Sequence, residues 1–199
     1  MKCCGAVLVG GRSRRMGGGP KALLELDGKP MLQHVIDRLT PQVEGLLLSV
    51  ETPLEEFEAF GFPQVPDPEP GSRGPLGGLA AVLRYVHEGQ GRWLLLAPCD
   101  APFLPADLAR NLFEQAESES TKIAVASYMS NLQPTFSLWH RDVLDDLEWA
   151  VNRDRMAGFR QFLRGRRYSV LEWPVSAVSP FYNINDPSAL EEARKMTSN

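Results

Sequence analysis

Between Leu8 and Lys21 the chain reads Leu8-Val9-Gly10-Gly11-Arg12-Ser13-Arg14-Arg15-Met16-Gly17-Gly18-Gly19-Pro20-Lys21. Glycines let a backbone approach a ligand closely and turn successive N–H groups into one concavity. Arginine and lysine add positive charge for phosphate oxygens, and an arginine can bind two at once. Three arginines within four residues stand out in a chain with 25 acidic against 21 basic residues. A solvated surface loop is the plainer reading, but the stretch directly follows an apolar run. Two familiar phosphate loops do not describe it. The pattern GxxxxGKS/T fails because Ala22 follows Lys21. Gly17-x-Gly19-x-x-Ala22 matches a loose dinucleotide fingerprint but starts eight residues after the apolar run, not at its end.

Asp100 is the second candidate. It closes Pro98-Cys99-Asp100 after the apolar run WLLLA. A hard oxygen ligand there suits Mg²⁺, which takes one or two carboxylates plus substrate phosphates. The alternative, a helix cap for the segment after Pro105, has poor spacing. Asn183 and Asn185 alternate, so in an extended segment their amides share one face and offer donors and acceptors. A turn near Pro187 is their competing role. Arg164, Arg166 and Arg167 could hold a phosphate or close a helix C-terminus.

Other chemistry is poorly supported. The three cysteines include adjacent Cys3 and Cys4, which face opposite ways on a strand, and there is no CxxC. His34, His87 and His140 lie far apart without HExxH, so no zinc site is expected. A net charge of -4 argues against wrapping nucleic acid by bulk charge. No apolar stretch approaches membrane-spanning length, and no signal-type segment opens the chain. The cysteine usage suggests a reducing compartment, and the expected location is cytoplasmic, with neither membrane nor nucleic acid as partner.

The elements that must position these residues alternate. Strands are expected at Cys3–Val9, Gly45–Val50, Phe62–Val65, Trp93–Ala97, Lys122–Ser127, Thr135–Trp139 and Tyr168–Trp173. Helices are expected from Pro30 through Leu39 and at Pro53–Phe60, Leu79–His87, Ala106–Glu117, Arg141–Trp149, Met156–Leu163 and Pro187–Met196. This order predicts βαβ units, a mostly parallel sheet and an α/β, Rossmann-like three-layer sandwich. The 199 residues suit one domain. Ligands of such sheets sit beyond the carboxyl ends of the strands, where both the glycine-arginine loop and Asp100 fall.

The stretch Leu8–Lys21 with Leu26-Asp27-Gly28-Lys29-Pro30-Met31 resembles the opening signature LAGGxSxRMGxDK of a nucleotidyltransferase superfamily. Pro41-Gln42-Val43, Gly74-Pro75-Leu76-Gly77-Gly78, Pro98-Cys99-Asp100-Ala101-Pro102 and Asn183-Ile184-Asn185-Asp186-Pro187 extend the likeness over nearly the whole chain. They narrow it to the molybdenum cofactor guanylyltransferases, the MobA family. The resemblance implies Mg²⁺-dependent transfer of GMP from GTP to molybdopterin or Mo-molybdopterin, with release of pyrophosphate. It also implies possible handover of the product to molybdenum-insertion proteins and molybdoenzyme chaperones.

Carried over by resemblance, Leu8, Val9, Gly10 and Gly11 line the GTP pocket with Ser49, Asp67 and Asp100. Lys21 and Arg15 handle phosphates, and Asp100 holds the metal. Gly78, Asn183 and Asn185 fall on the acceptor side. Residues 1–199 then form one nucleotidyltransferase domain, with GTP held by about 1–100 and the acceptor by about 101–199. This chain departs from the pattern in three places. Pro20 replaces the usual Asp before the lysine. Ser49 stands where a base-contacting Asn is common. Gln133 stands where relatives often have His. The first two leave rate and base choice open. The alternatives are a cytidylyltransferase, a sugar-phosphate nucleotidyltransferase of the same fold, or a nucleotide-binding module with weak catalysis.

Overall fold

Apolar runs closed by glycine or proline become buried strands, and segments with apolar residues at helical spacing become the helices that cover them. The computed structural model describes residues 3–10, 19–68 and 74–197. The strands are β1 (Cys3–Leu8), β2 (Glu25–Leu26), β3 (Lys29–Pro30), β4 (Gly45–Val50), β5 (Gln64–Pro66), β6 (Trp93–Pro98), β7 (Ile123–Tyr128), β8 (Asn131–His140) and β9 (Ser169–Trp173). The helices are α1 (Met31–Leu39), α2 (Gly74–Glu88), α3 (Leu108–Ser118), α4 (Leu144–Asn152), α5 (Phe159–Leu163) and α6 (Pro187–Thr197). Seven strands form one sheet in the order β5-β4-β1-β6-β8-β7-β9. All its pairings are parallel except those of β8, which runs against both β6 and β7. The mostly parallel α/β fold is therefore as the alternation predicts.

Strand alternation divides the core in two. On β1, β4 and β6, Cys3, Val7, Leu46, Leu48, Leu95 and Ala97 pack towards α1 and α3. The intervening Ala6, Leu47, Leu94 and Leu96 pack towards α2, α4 and α5. Cys3 and Cys4 fall on opposite faces, as neighbours on a strand must. Both faces being covered explains why these strands read as continuous apolar runs.

Several boundaries differ from expectation, each for a local reason. Helix α2 starts at Gly74, not at Leu79. Pro75 fits a first helical turn, where its missing N–H has no partner to lose. A short β2–β3 hairpin that the expected elements do not include precedes α1. Asp27 and Gly28, at φ 50° and 76°, form its two-residue connection. Strand β8 begins at Asn131 rather than Thr135 because Met129 and Ser130 take positive φ without a glycine to advertise the turn. Only Phe159–Leu163 of the expected 156–163 helix is helical, and residues 55–60 form a 3₁₀ helix.

Candidate active site

The parity that builds the core also aims the strand ends. Leu8 on β1, Ser49 on β4 and Pro98 on β6 share the face that packs towards α2. Asp67 and Asp100 continue the same parity beyond β5 and β6, two residues after Val65 and Pro98. Backbone bonds continue the ladder past the strand ends, from Val9 N to Ser49 O at 2.8 Å, Asp67 N to Val50 O at 2.9 Å and Cys99 N to Leu8 O at 3.1 Å. The result is a cavity of about 430 Å³ lined by Leu8, Gly10, Ser49, Asp67, Gly78 and Asp100, among others. It lies where the order reverses about β1, the expected ligand position of such sheets.

Helix α2 closes one wall, and glycine is what allows it to approach. A Cβ on Gly78 would stand 2.7 Å from Ser49 Oγ. Gly78→Ala should therefore overpack this contact, costing about 1–3 kcal/mol against a gain of at most about 1 kcal/mol in helix propensity. The expected net loss, about 1 kcal/mol in urea unfolding, should largely return when Ser49→Ala is added. A more stable Gly78→Ala single variant would contradict the close approach.

Lys21 sits in a 3₁₀ turn (Lys21–Leu23) directly after the glycine-arginine stretch. Its Nζ donates to Asp100 Oδ2, and also to Asn185 Oδ1 at 2.5 Å. The Lys21 and Asp100 side chains are only 12% and 17% exposed, so their charges are incompletely screened by water. Ile184 N donates to Asp100 O at 2.9 Å and so binds the Asn183–Asn185 segment to the end of β6. Directly before Ile184, Asn183 Oδ1 is buried with no hydrogen-bond partner among the described residues. A bound polar group could satisfy it. Cys99 is fully enclosed, and burial pushes its thiol up to about 12, which makes it a packing residue and not a nucleophile.

This arrangement can offer an ammonium to phosphate oxygens and a carboxylate to a hard cation. Among the described residues no three His, Cys, Asp or Glu side chains converge on one point. The oxygen donors Asp100 and Asp67 fit a cation such as Mg²⁺, which arrives with water and substrate phosphates and needs few protein ligands.

The expected site residues are distributed unevenly. Leu8, Gly10, Ser49, Asp67, Gly78 and Asp100 line the cavity, and Lys21 and Asn185 join them through Asp100. Val9 differs: alternation turns its side chain into the core shared with α1 and α3, and its N–H is taken by Ser49 O. Asn183 and Asn185 do not share one setting, since one amide oxygen is buried and the other residue is exposed. Gly11 and Arg15 lie outside the described residues. Arg164, Arg166 and Arg167 precede β9, at the edge of the sheet opposite the cavity. Arg166 donates to Phe162 O and Arg167 to Glu119 O, so these two close helix ends instead of holding an acceptor phosphate. Glu51 and Thr135 line the cavity and were not foreseen. Glu51 was legible, being two residues beyond Ser49. Thr135 was not, because it depends on β8 inserting beside β6.

A doubly wound sheet with a glycine-rich stretch after its first strand and a Lys–Asp pair at the switch point defines a nucleotide-handling α/β fold. More narrowly, the chain belongs to the MobA-like NTP transferase domain family, whose model matches residues 5–171. It is 38% identical over 192 residues to a molybdenum cofactor guanylyltransferase of Rhodopseudomonas palustris, covering 96% of this chain and 91% of that one. It is 35% identical over 196 residues to the enzyme of the same name from a Bradyrhizobium species, covering 98% and 92%. In structure it is similar to molybdopterin-guanine dinucleotide biosynthesis protein A from Archaeoglobus fulgidus, with TM-score 0.77 and 23% identity over 98% of each chain. That last likeness is one of fold.

Proposed function

We propose that this chain is a guanylyltransferase that moves GMP from GTP onto the terminal phosphate of molybdopterin or Mo-molybdopterin. An acceptor phosphate oxygen attacks the α-phosphorus of GTP, the bond from that phosphorus to the α–β bridging oxygen breaks, and pyrophosphate leaves with the electron pair. The observation that carries the reading is the convergence of Lys21, Asp100 and Asn185 at the carboxyl ends of β1 and β6. It is supported by the relatives named molybdenum cofactor guanylyltransferase.

In this reading Leu8, Gly10, Ser49 and Asp67 cradle the nucleoside, and Lys21 neutralises charge that builds on the leaving pyrophosphate. Asn183 and Asn185 border the acceptor, and Gly78, given to that side by resemblance, stands beside Ser49 and Leu8. Arg15 and Gly11 belong to the phosphate-handling stretch by resemblance. GTP is held mainly by residues before about 100, and the acceptor mainly by those after. Asp100 is the residue that would hold Mg²⁺, and the cation would supply positive charge against that of the phosphates. A phosphate acceptor is already ionised near neutral pH, so the chain needs no general base.

Cys3, Cys4 and Cys99 are unpaired, in keeping with a cytoplasmic setting. No helix among the described residues is long and apolar enough to cross a membrane. Handover to molybdenum-insertion proteins or molybdoenzyme chaperones belongs to the same proposal and is carried by the resemblance alone.

Incubating the protein with α-labelled GTP, Mg²⁺ and molybdopterin should transfer label to the pterin with matching release of pyrophosphate. Label transfer from CTP in preference to GTP would overturn the guanylyl assignment. Intact GTP binding without pyrophosphate release would overturn the enzymatic one.

A further inference from the structure

The cavity has two ends of different chemistry. Over β1 and β6 stand Gly10 and Asp100, with the Lys21 ammonium on the latter. Over β4 and β5 stand Ser49, Glu51 and Asp67. The order β5-β4-β1-β6 puts β4 two strands from β6, roughly 10 Å away. A nucleoside triphosphate with its phosphates at Lys21 therefore carries its base towards β4 and β5.

Ser49 is a weak reader of a base. It is 5% exposed, wedged beside Gly78, and has one hydroxyl to offer. Glu51 lies one residue past the end of β4, two residues after Ser49. It is exposed and lines the cavity. Asp67 also lines this end, but its Oδ1 is buried where Glu51 is exposed.

An ionised carboxylate only accepts hydrogen bonds and can take two side by side. On its pairing edge guanine presents two adjacent donors, N1–H and the 2-amino group. Cytosine presents acceptors at N3 and O2, and adenine an acceptor at N1; either would face the carboxylate lone pair against lone pair. Position, exposure and charge thus converge on one base.

We infer that Glu51 is the residue that selects guanine, its carboxylate accepting from N1–H and from the 2-amino group. The inference rests on the GTP reading above and deepens it by naming the side chain that reads the base.

Binding of GTP, ITP, XTP and CTP to the full chain, to Glu51→Ala and to Glu51→Gln tests it by calorimetry. Inosine lacks the 2-amino group, and xanthine carries a carbonyl in its place. The native chain should bind GTP about tenfold more tightly than ITP. Glu51→Ala should lose about tenfold to a hundredfold in GTP affinity and bring GTP and ITP close together. Glu51→Gln, which presents one acceptor and one donor, should gain for XTP relative to GTP, a change that misfolding cannot produce. An unchanged GTP-to-ITP ratio in both variants overturns the inference. So does a parallel loss of both nucleotides, which would put the carboxylate on the ribose. A native chain that prefers GTP while the variants behave alike leaves the guanylyl reading standing, whereas a native preference for CTP removes that reading itself.

Discussion

Asp100→Ala should lower guanylyl transfer by about a thousandfold or more while weakening GTP binding by no more than about tenfold. The carboxylate stands at the end of β6, with its neighbours fixed by Cys99 N to Leu8 O and Ile184 N to Asp100 O. A group that helps offset charge building in the transition state contributes several kcal/mol there and little to ground-state binding. Asp100→Asn keeps the shape and most of the contact to Lys21, so it separates charge from packing. It should be nearly as slow as the alanine variant and melt close to the native temperature. Pyrophosphate release under single-turnover conditions, alongside calorimetric GTP affinity, gives both quantities. Native turnover in Asp100→Asn would remove this carboxylate from the chemistry.

Lys21→Ala should differ in kind: GTP affinity falls about tenfold or more, and transfer about a hundredfold beyond that. Without nucleotide the ammonium is held by Asp100 and Asn185 at 12% exposure, already aimed and partly desolvated. Phosphate oxygens would take over contacts that those two oxygens make, so binding gains from a charge that needs little reordering. Lys21→Arg should recover part of the binding but less of the rate, because a planar fork cannot sit where a single point of charge fits. Equilibrium binding of GTP and of a non-hydrolysable analogue, set against single-turnover rates, distinguishes the two effects. A Lys21→Ala chain with native GTP affinity would mean that the phosphates lie elsewhere.

Much of this protein was legible in its residues. Cys3–Val9, GLLLSV and WLLLA announced strands buried on both faces, and their separation by amphipathic helices announced a parallel sheet. The glycine-arginine stretch and Asp100 were placed at strand ends by local pattern alone. The parity that turns Ser49 and Asp100 to one face came from the register of β4, β1 and β6, and Val9 shows that it has to be applied to every residue of a motif. The arginines at 164–167 were ambiguous in sequence because a phosphate and a helix carboxyl end ask for the same charge. Only the position of β9 in the sheet separated the two.

What the chain determined by itself was periodicity, turn chemistry at Asp27-Gly28, and the types of group available, because these depend on neighbours a few residues apart. What tertiary structure decided was adjacency. Asn185 lies 164 residues from Lys21, and Asp100 lies 79 from it. No local preference brings them together, and they meet because seven strands must stack in one order to bury two apolar faces at once. The same order sets β4 two strands from β6, and so puts an acidic end and a cationic end on a single cavity.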